Sequence, residues 1–288
     1  MVALLAEVPL SSAEEPKSLD PAQPHTNGLG MRFVPVVGTK ALFSVYQTRV
    51  RDFRAFVEES GYVHMRETAD SDSRMWSLDR DGSKQRGHSW DNPGFKQTED
   101  HPAVGVCWYD AKAFCEWLTA RERAAGRLPP GWAYRLPTDH EWSVAVGLAD
   151  EDEQKTPEEK NGVIKDRYPW GREWPPPAGA GNYAGEEAND GHLPAKFPTI
   201  NGYKDGYART APAGSFKPNL HGLYDLGSNV LEWCEDLYKT GYTNRVLRGA
   251  SWVNGVRGRL LSSIRLDGVP ADRINDHGFR CVVGSSSP

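Results

Sequence analysis

Residues 246–283 read VLRGASWVNGVRGRLLSSIRLDGVPADRINDHGFRCVV. The two ends predict short strands, over Arg245–Gly249 and Gly278–Val283. The middle, residues 253–277, follows neither the two-residue period of a strand nor the 3.6-residue period of a helix. Arg257, Leu260, Leu261, Ser262, Ser263, Arg265, Pro270 and Arg273 look like its framework, with small, apolar and polar residues mixed between them. An irregular stretch of this length held between strands reads as ordered, functional surface.

Working outward, three segments read as helices. Thr48–Ser60 places Val50, Phe53, Phe56 and Val57 on one face and stops at Gly61. Asp110–Ala125 places Ala111, Phe114, Cys115 and Leu118 on one face, with Gly126 following. Thr138–Gly147 opens with Thr138, Asp139, His140 and Glu141, a capping box in which hydroxyl and carboxylate each satisfy a free amide. Further strands are expected at Arg32–Val36 and Leu42–Tyr46. Long Gly-, Pro- and Trp-rich connections fill 62–107 and 148–230. Residues 1–28 and 285–288 read as tails around one domain, 29–284, and the fold class is α+β with much ordered irregular chain.

The chain has 288 residues, enough for a core that needs no disulfide or metal to exist. Its 10 Trp suit irregular segments pinned by aromatics. A net charge of −5 argues against nucleic-acid binding driven by overall charge. No apolar run approaches the ~20 residues of a membrane helix. The start, MVALLAEVPL, lacks a basic region and meets Glu7 early, so it does not read as a signal peptide. The expectation is a cytoplasmic protein. Cys107, Cys115, Cys234 and Cys281 form no close cluster, so a structural zinc site is not expected and buried thiols are. Nucleotide-binding glycine motifs, GxSxG and HExxH are missing. His88, His101 and His277 stand apart, and His140 lies inside the capping box.

An ordered series of motifs carries a resemblance. MRFVPV (31–36), HPAVGVCWYDAKAFCEWL (101–118) and YRLPTDHEW (134–142) come first; YPWG (168–171), GNYAGEE (181–187) and GLYDLGSNVLEWCED (222–236) follow. VLRGASW (246–252) and GFRCVV (278–283) close it. Together they resemble the formylglycine-generating-enzyme, or sulfatase-modifying-factor, family, over about residues 29–283. The resemblance implies a C-type-lectin-like fold of the formylglycine-generating-enzyme type, mixed α/β with long ordered loops.

It also implies a chemistry that can be checked against the residues. That family's enzyme oxidises a sulfatase cysteine to formylglycine with molecular oxygen and copper(I) held by two cysteines. Copper(I) is soft and prefers thiolate. The matching positions here, after Gly249-Ala250-Ser251-Trp252, are Asn254 and Arg259, and no Cys lies between 234 and 281. Amide and guanidinium do not replace thiolates, so no copper and no catalytic residue is expected. Positions matching Cys115 and Cys281 are disulfide-linked in secreted relatives, which makes these two potential neighbours; two buried thiols is the plainer reading. The family also carries two structural calcium sites. One would match Asn182, Tyr183 (backbone), Asp205 and Tyr207 (backbone). The other would match Asn229, Val230 (backbone) and Glu232, with Gly227 (backbone) as a further oxygen. The alternative is that these residues only brace turns.

A second resemblance concerns residues 253–277. Diversity-generating retroelements vary C-terminal segments of proteins with this fold by mutating template adenines, mostly in Asn codons. Such codons cannot become Lys, Glu, Gln, Trp or Met, and residues 253–277 contain none of the five. The candidate variable and ligand-binding positions are Val253, Asn254, Gly255, Val256, Gly258, Ile264, Leu266, Asp267, Gly268, Val269, Ala271, Ile274, Asn275, Asp276 and His277. Arg257, Arg259, Arg265 and Arg273 would add donors, or form structural salt bridges. The expected function is non-catalytic binding of a protein ligand through residues 253–277. The rivals are an oxidase using a non-cysteine site and a fixed-partner accessory domain of a bacterial signalling system.

Overall fold

The capping box at Thr138 forms as its residues require. Thr138 Oγ1 accepts from the Glu141 amide at 3.1 Å, and Glu141 accepts from the Thr138 amide at 2.9 Å. The structure is a computed structural model that describes residues 19–63, 75–77, 84–85, 88–191, 193 and 197–285. In chain order the helices are α1 (Val50–Ser60), α2 (Trp108–Ala124), α3 (Asp139–Ala145) and a single turn, α4 (Pro157–Lys160). The openings of α1 and α2 use the carboxylate half of this device. Asp52 accepts the amide of Arg49 at 3.0 Å, and Asp110 that of Cys107 at 2.9 Å. Each carboxylate also stands in the positive first turn of its helix. Among the described residues no helix is long and apolar enough to cross a membrane.

The strands are β1 (His25–Thr26), β2 (Arg32–Pro35), β3 (Leu42–Ser44), β4 (Met75–Trp76), β5 (Lys84–Gln85) and β6 (Trp132–Arg135). They continue with β7 (Leu231–Leu237), β8 (Arg245–Arg248), β9 (Arg265–Gly268), β10 (His277–Gly278) and β11 (Val282–Ser285). One sheet has the order β1-β2-β3-β11-β6, a second β10-β7-β8-β9, and β4 pairs with β5. The strand pairs are antiparallel except β10 with β7.

Alternation along the first sheet sends side chains into two apolar layers. Phe33, Leu42 and Val283 pack with Phe53 and Phe56 of α1 and Phe114 of α2. Val34, Phe43 and Val282 pack with Trp142 of α3 and Val246 of β8. The sheet is therefore buried on both faces, which is why its central strands read as continuous apolar runs. The long connection 148–230 is pinned by aromatics. Tyr168 stacks on Trp170 with centroids 4.8 Å apart, and Trp170 meets Tyr183 edge-on at 5.2 Å.

Three expectations change. The last strand is not continuous over Gly278–Val283. β10 belongs to the second sheet and β11 to the first, and Phe279–Cys281 carries the chain across. Arg280 at this crossing is fully buried and paired with both oxygens of Glu232, at 2.8 Å each. That pairing satisfies a charge that alternation would have placed in solvent. Second, residues 253–277 contain a strand, β9, hydrogen-bonded to β8. Third, strand pairing begins at His25, inside the expected tail 1–28, and Ser285 closes β11. Residues 1–18 and 286–288 lie outside the described residues.

Candidate functional site

β8 leads through Gly249 and Ala250 to Ser251, and the turn that follows decides the fate of position 254. The Asn254 amide nitrogen donates to the Ser251 carbonyl at 3.0 Å, while the Asn254 side-chain Oδ1 accepts from the Ser251 amide at 2.9 Å. Ser251 Oγ donates to Asp276 Oδ2 at 2.7 Å. Asn254 thus uses its side-chain oxygen to brace a turn. Arg259 lies on an exposed 3₁₀ turn, Arg257–Leu260. The pair offers no thiolate and does not fit copper(I). The four cysteines are buried elsewhere. Cys115 and Cys281 are neighbours with sulfurs 3.6 Å apart, free rather than bonded. Burial pushes the Cys107 thiol up to about 12, so it is unreactive at neutral pH. Among the described residues, no three His, Cys, Asp or Glu converge as a metal site.

The candidate positions of residues 253–277 divide by burial. Val256, Gly258, Asp267, Val269 and Ala271 are exposed; Asn254, Gly255, Ile264, Leu266 and Ile274 are half-buried. Val253, Gly268, Asn275, Asp276 and His277 are buried. Asn275 Nδ2 donates to Ser77 Oγ at 3.2 Å, and His277 packs edge-on against Trp233 at 5.5 Å. Two of the glycines leave no room for a side chain. A Cβ on Gly255 would stand 2.0 Å from the Pro198 carbonyl oxygen, and one on Gly268 2.4 Å from the Trp233 ring. The surface that can present side chains is therefore Val256–Gly258, the outer side of β9 and the loop through Val269, Ala271 and Ile274.

This surface rests on charged anchors beneath it. Arg265, the first residue of β9, is fully buried against Asp139 and Glu151, with Ser143 Oγ 2.9 Å from Nη2. Arg248 of β8 bonds the same Asp139, and Lys160 of α4 joins it at 2.7 Å. Burial alone would raise the Asp139 carboxyl; Arg248 and Arg265 outweigh it and hold it well below the usual carboxylate range. Arg273 pairs with buried Asp110 at 2.8 Å, and Arg257 with Asp166 at 2.7 Å. Of the four arginines that could have faced a ligand, Arg265 is spent on the interior and Arg273 is largely buried; Arg257 and Arg259 remain outside.

The two calcium sets differ in fit. In the first, Asn182 Oδ1 is buried with no hydrogen-bond partner. Asp205 beside it accepts the amides of Tyr183 and Tyr207, at 2.9 Å each, and burial pushes its carboxyl up to about 6. An orphaned amide oxygen next to a carboxylate suits a hard cation. In the second set every side-chain oxygen is already engaged. Asn229 Oδ1 accepts from Asn182 Nδ2 and the Ala211 amide, and Glu232 accepts from Gln47, Trp142 and Arg280. The Val230 carbonyl accepts from Gln47 Nε2 at 3.3 Å. Asn229, Val230 and Glu232 thus tie together segments of the core through hydrogen bonds and an ion pair.

Comparison with known proteins places these observations. The model of the sulfatase-modifying factor enzyme 1-like domain matches residues 40–284. The chain belongs to the sulfatase-modifying factor family. Among curated members it is similar to the inactive C-alpha-formylglycine-generating enzyme 2 of Bos taurus, 28% identical over 85% of this chain and 77% of that one. It is also similar to the formylglycine-generating enzyme of Streptomyces coelicolor, 29% identical over 68% of this chain and 59% of that one. Among solved structures, Treponema denticola variable protein 1 superposes with a TM-score of 0.55 at 18% identity, covering 91% of this chain and 98% of that one. That likeness shows the fold alone. The sulfatase-modifying factor scaffold here is α+β, and its family resemblance in sequence extends to the fold.

Two features lay beyond the sequence reading. The interior charge network joins residues far apart in the chain and gives no local signal. The burial of Asn275–His277 depends on Ser77 and Trp233, which no spacing rule connects to them.

Proposed function

We propose that this member of the sulfatase-modifying factor family is a non-catalytic binding protein whose ligand is another protein. It binds through the exposed part of 253–277, with Val256, Ile264, Leu266, Val269 and Ile274 supplying apolar surface. The observation that carries this reading is the pair Asn254 and Arg259. One is spent on a turn and the other is a cation in solvent, so the positions that hold copper in the family's enzyme cannot do so here. The bovine relative bears the word inactive in its name. Anchors such as Arg265–Asp139 keep the loop bases rigid, which reduces the ordering cost of binding. A retroelement would diversify Val256, Gly258, Ile264, Leu266, Asp267, Val269, Ala271 and Ile274, where side chains can change without disturbing the interior. Calcium at Asn182, Tyr183, Asp205 and Tyr207 would be structural, pinning the 181–207 loops.

The test is incubation of the full chain with copper(I), and separately iron(II), under oxygen, with a cysteine peptide as substrate. No oxidation above the metal-only background supports the binding reading; enzyme-dependent oxidation contradicts it. A rise in melting temperature with millimolar calcium, lost in Asp205→Asn, supports the structural site, and no rise removes it.

A further inference from the structure

We propose that the Gln47 carboxamide takes the place of a cation where the second calcium set converges. Gln47 lies between β3 and α1 and is fully buried. Its Nε2 stands among oxygens that meet it from one turn and the strand that follows. They are the carbonyls of Asp225 at 3.3 Å, Ser228 at 3.1 Å and Val230 at 3.3 Å, and Glu232 Oε1 at 2.9 Å. A carboxamide has two N–H donors, fewer than these acceptors. Oxygens gathered in this way repel one another unless positive charge stands between them. Carbonyls joined by a carboxylate are the ligand type of a hard cation.

The turn is held in this form from outside. Asp225 and Asn229 have positive φ, 58° and 67°, which residues other than glycine rarely adopt. Asp225 Oδ2 accepts the Gly214 amide at 2.8 Å. Asn229 grips Ala211 at both backbone groups, Oδ1 on its amide at 2.9 Å and Nδ2 on its carbonyl at 3.0 Å. The convergence of the carbonyls is therefore fixed by the fold, and Gln47 fills it.

The charge that a cation would bring to Glu232 also comes from the chain. Arg280 donates to both oxygens at 2.8 Å each, and Trp142 Nε1 donates to Oε2 at 3.0 Å. Glu232 is neutralised by this pair, so a divalent ion here would add charge to a buried site that only Asp225 could offset. Such an ion would also meet the N–H groups of Gln47. The residues do not fit calcium while the amide keeps this orientation. One arrangement competes. Gln47 Oε1 and Asp225 Oδ1 are buried without hydrogen-bond partners. Rotating the amide would turn Oε1 onto the other oxygens, which only a bound cation would stabilise.

This inference does not rest on the protein-binding surface. An Asp205→Asn background keeps the first calcium set out of the measurement. Melting temperature is followed with calcium, and tryptophan-sensitised luminescence with terbium, Trp142 being bonded to Glu232. With Gln47 present, neither a calcium-dependent rise nor a saturable signal is expected. Gln47→Ala opens the space to an ion. It should melt lower without calcium, and about a hundredfold excess of calcium over the dissociation constant should raise its melting temperature by roughly 4 °C. Gln47→Glu, with a second carboxylate, should gain the same response at lower calcium. An equal response with and without Gln47 overturns the proposal, and so does no response in either folded variant. Should neither variant fold, stoichiometric terbium binding by the chain that keeps Gln47 overturns it, and lack of binding supports it.

Discussion

Arg265 meets Asp139 through two parallel contacts, Nε to Oδ1 at 3.0 Å and Nη2 to Oδ2 at 3.1 Å, with both side chains buried. The pair joins the first residue of β9 to the first residue of α3. It therefore fixes the base of the exposed segment to the interior. Removing Arg265 takes one of three cations from Asp139 and leaves the buried Glu151 carboxylate without its ion-pair partner. Arg265→Ala is expected to cost about 3–5 kcal/mol in urea unfolding. A loss below about 1 kcal/mol would show that the pair does not hold β9.

The same carboxylate sets a pH dependence. Folded Asp139 titrates well below its ordinary value of about 3.9. The unfolded chain therefore takes up the proton first as pH falls. The stability contributed by ionised Asp139 is complete above pH ~4 and is lost progressively below it. Urea midpoints measured across this range should fall more steeply in the native chain than in Asp139→Asn, which is less stable at neutral pH but carries no proton-linked loss at this site.

Two glycines of the same segment should respond oppositely to one methyl group. Gly268→Ala forces a Cβ against Trp233 and Leu247, and is expected to destabilise by about 1–3 kcal/mol. Gly258→Ala meets nothing within 4 Å and should stay within about 0.5 kcal/mol of the parent. Thermal unfolding of the two variants tests which positions can vary.

Copper binding should be recoverable by residue type. The parent chain should leave a copper(I) indicator complex unchanged, because Asn254 and Arg259 offer no thiolate. The double variant Asn254→Cys, Arg259→Cys should withdraw copper from it. Equal withdrawal by the parent would mean that another copper(I) site exists.

Helices were legible from the sequence because their starts and buried faces are local. Thr138–Glu141 closes the expected box, and Val50, Phe53 and Phe56 are buried as their spacing requires. β7 was not legible: Leu231, Glu232, Trp233 and Cys234 are all buried, so no alternation marks the strand. β9 was hidden for a related reason, since it buries a charged residue, Arg265, whose partners Asp139 and Glu151 are distant in sequence, and exposes Asp267. The site was legible as a segment but not as a surface. Which of its residues face outward depends on Pro198, Trp233 and Ser77, supplied by other parts of the fold.

The most direct measurement is deep sequencing of the codons for residues 245–283 across a natural population that carries the chain. The display reading predicts substitutions at Val256, Gly258, Ile264, Leu266, Asp267, Val269, Ala271 and Ile274, tracing to template adenines. It predicts constancy at Gly255, Arg265, Gly268, Asn275, Asp276 and His277. A segment constant throughout, or variation spread equally over buried and exposed positions, would contradict it.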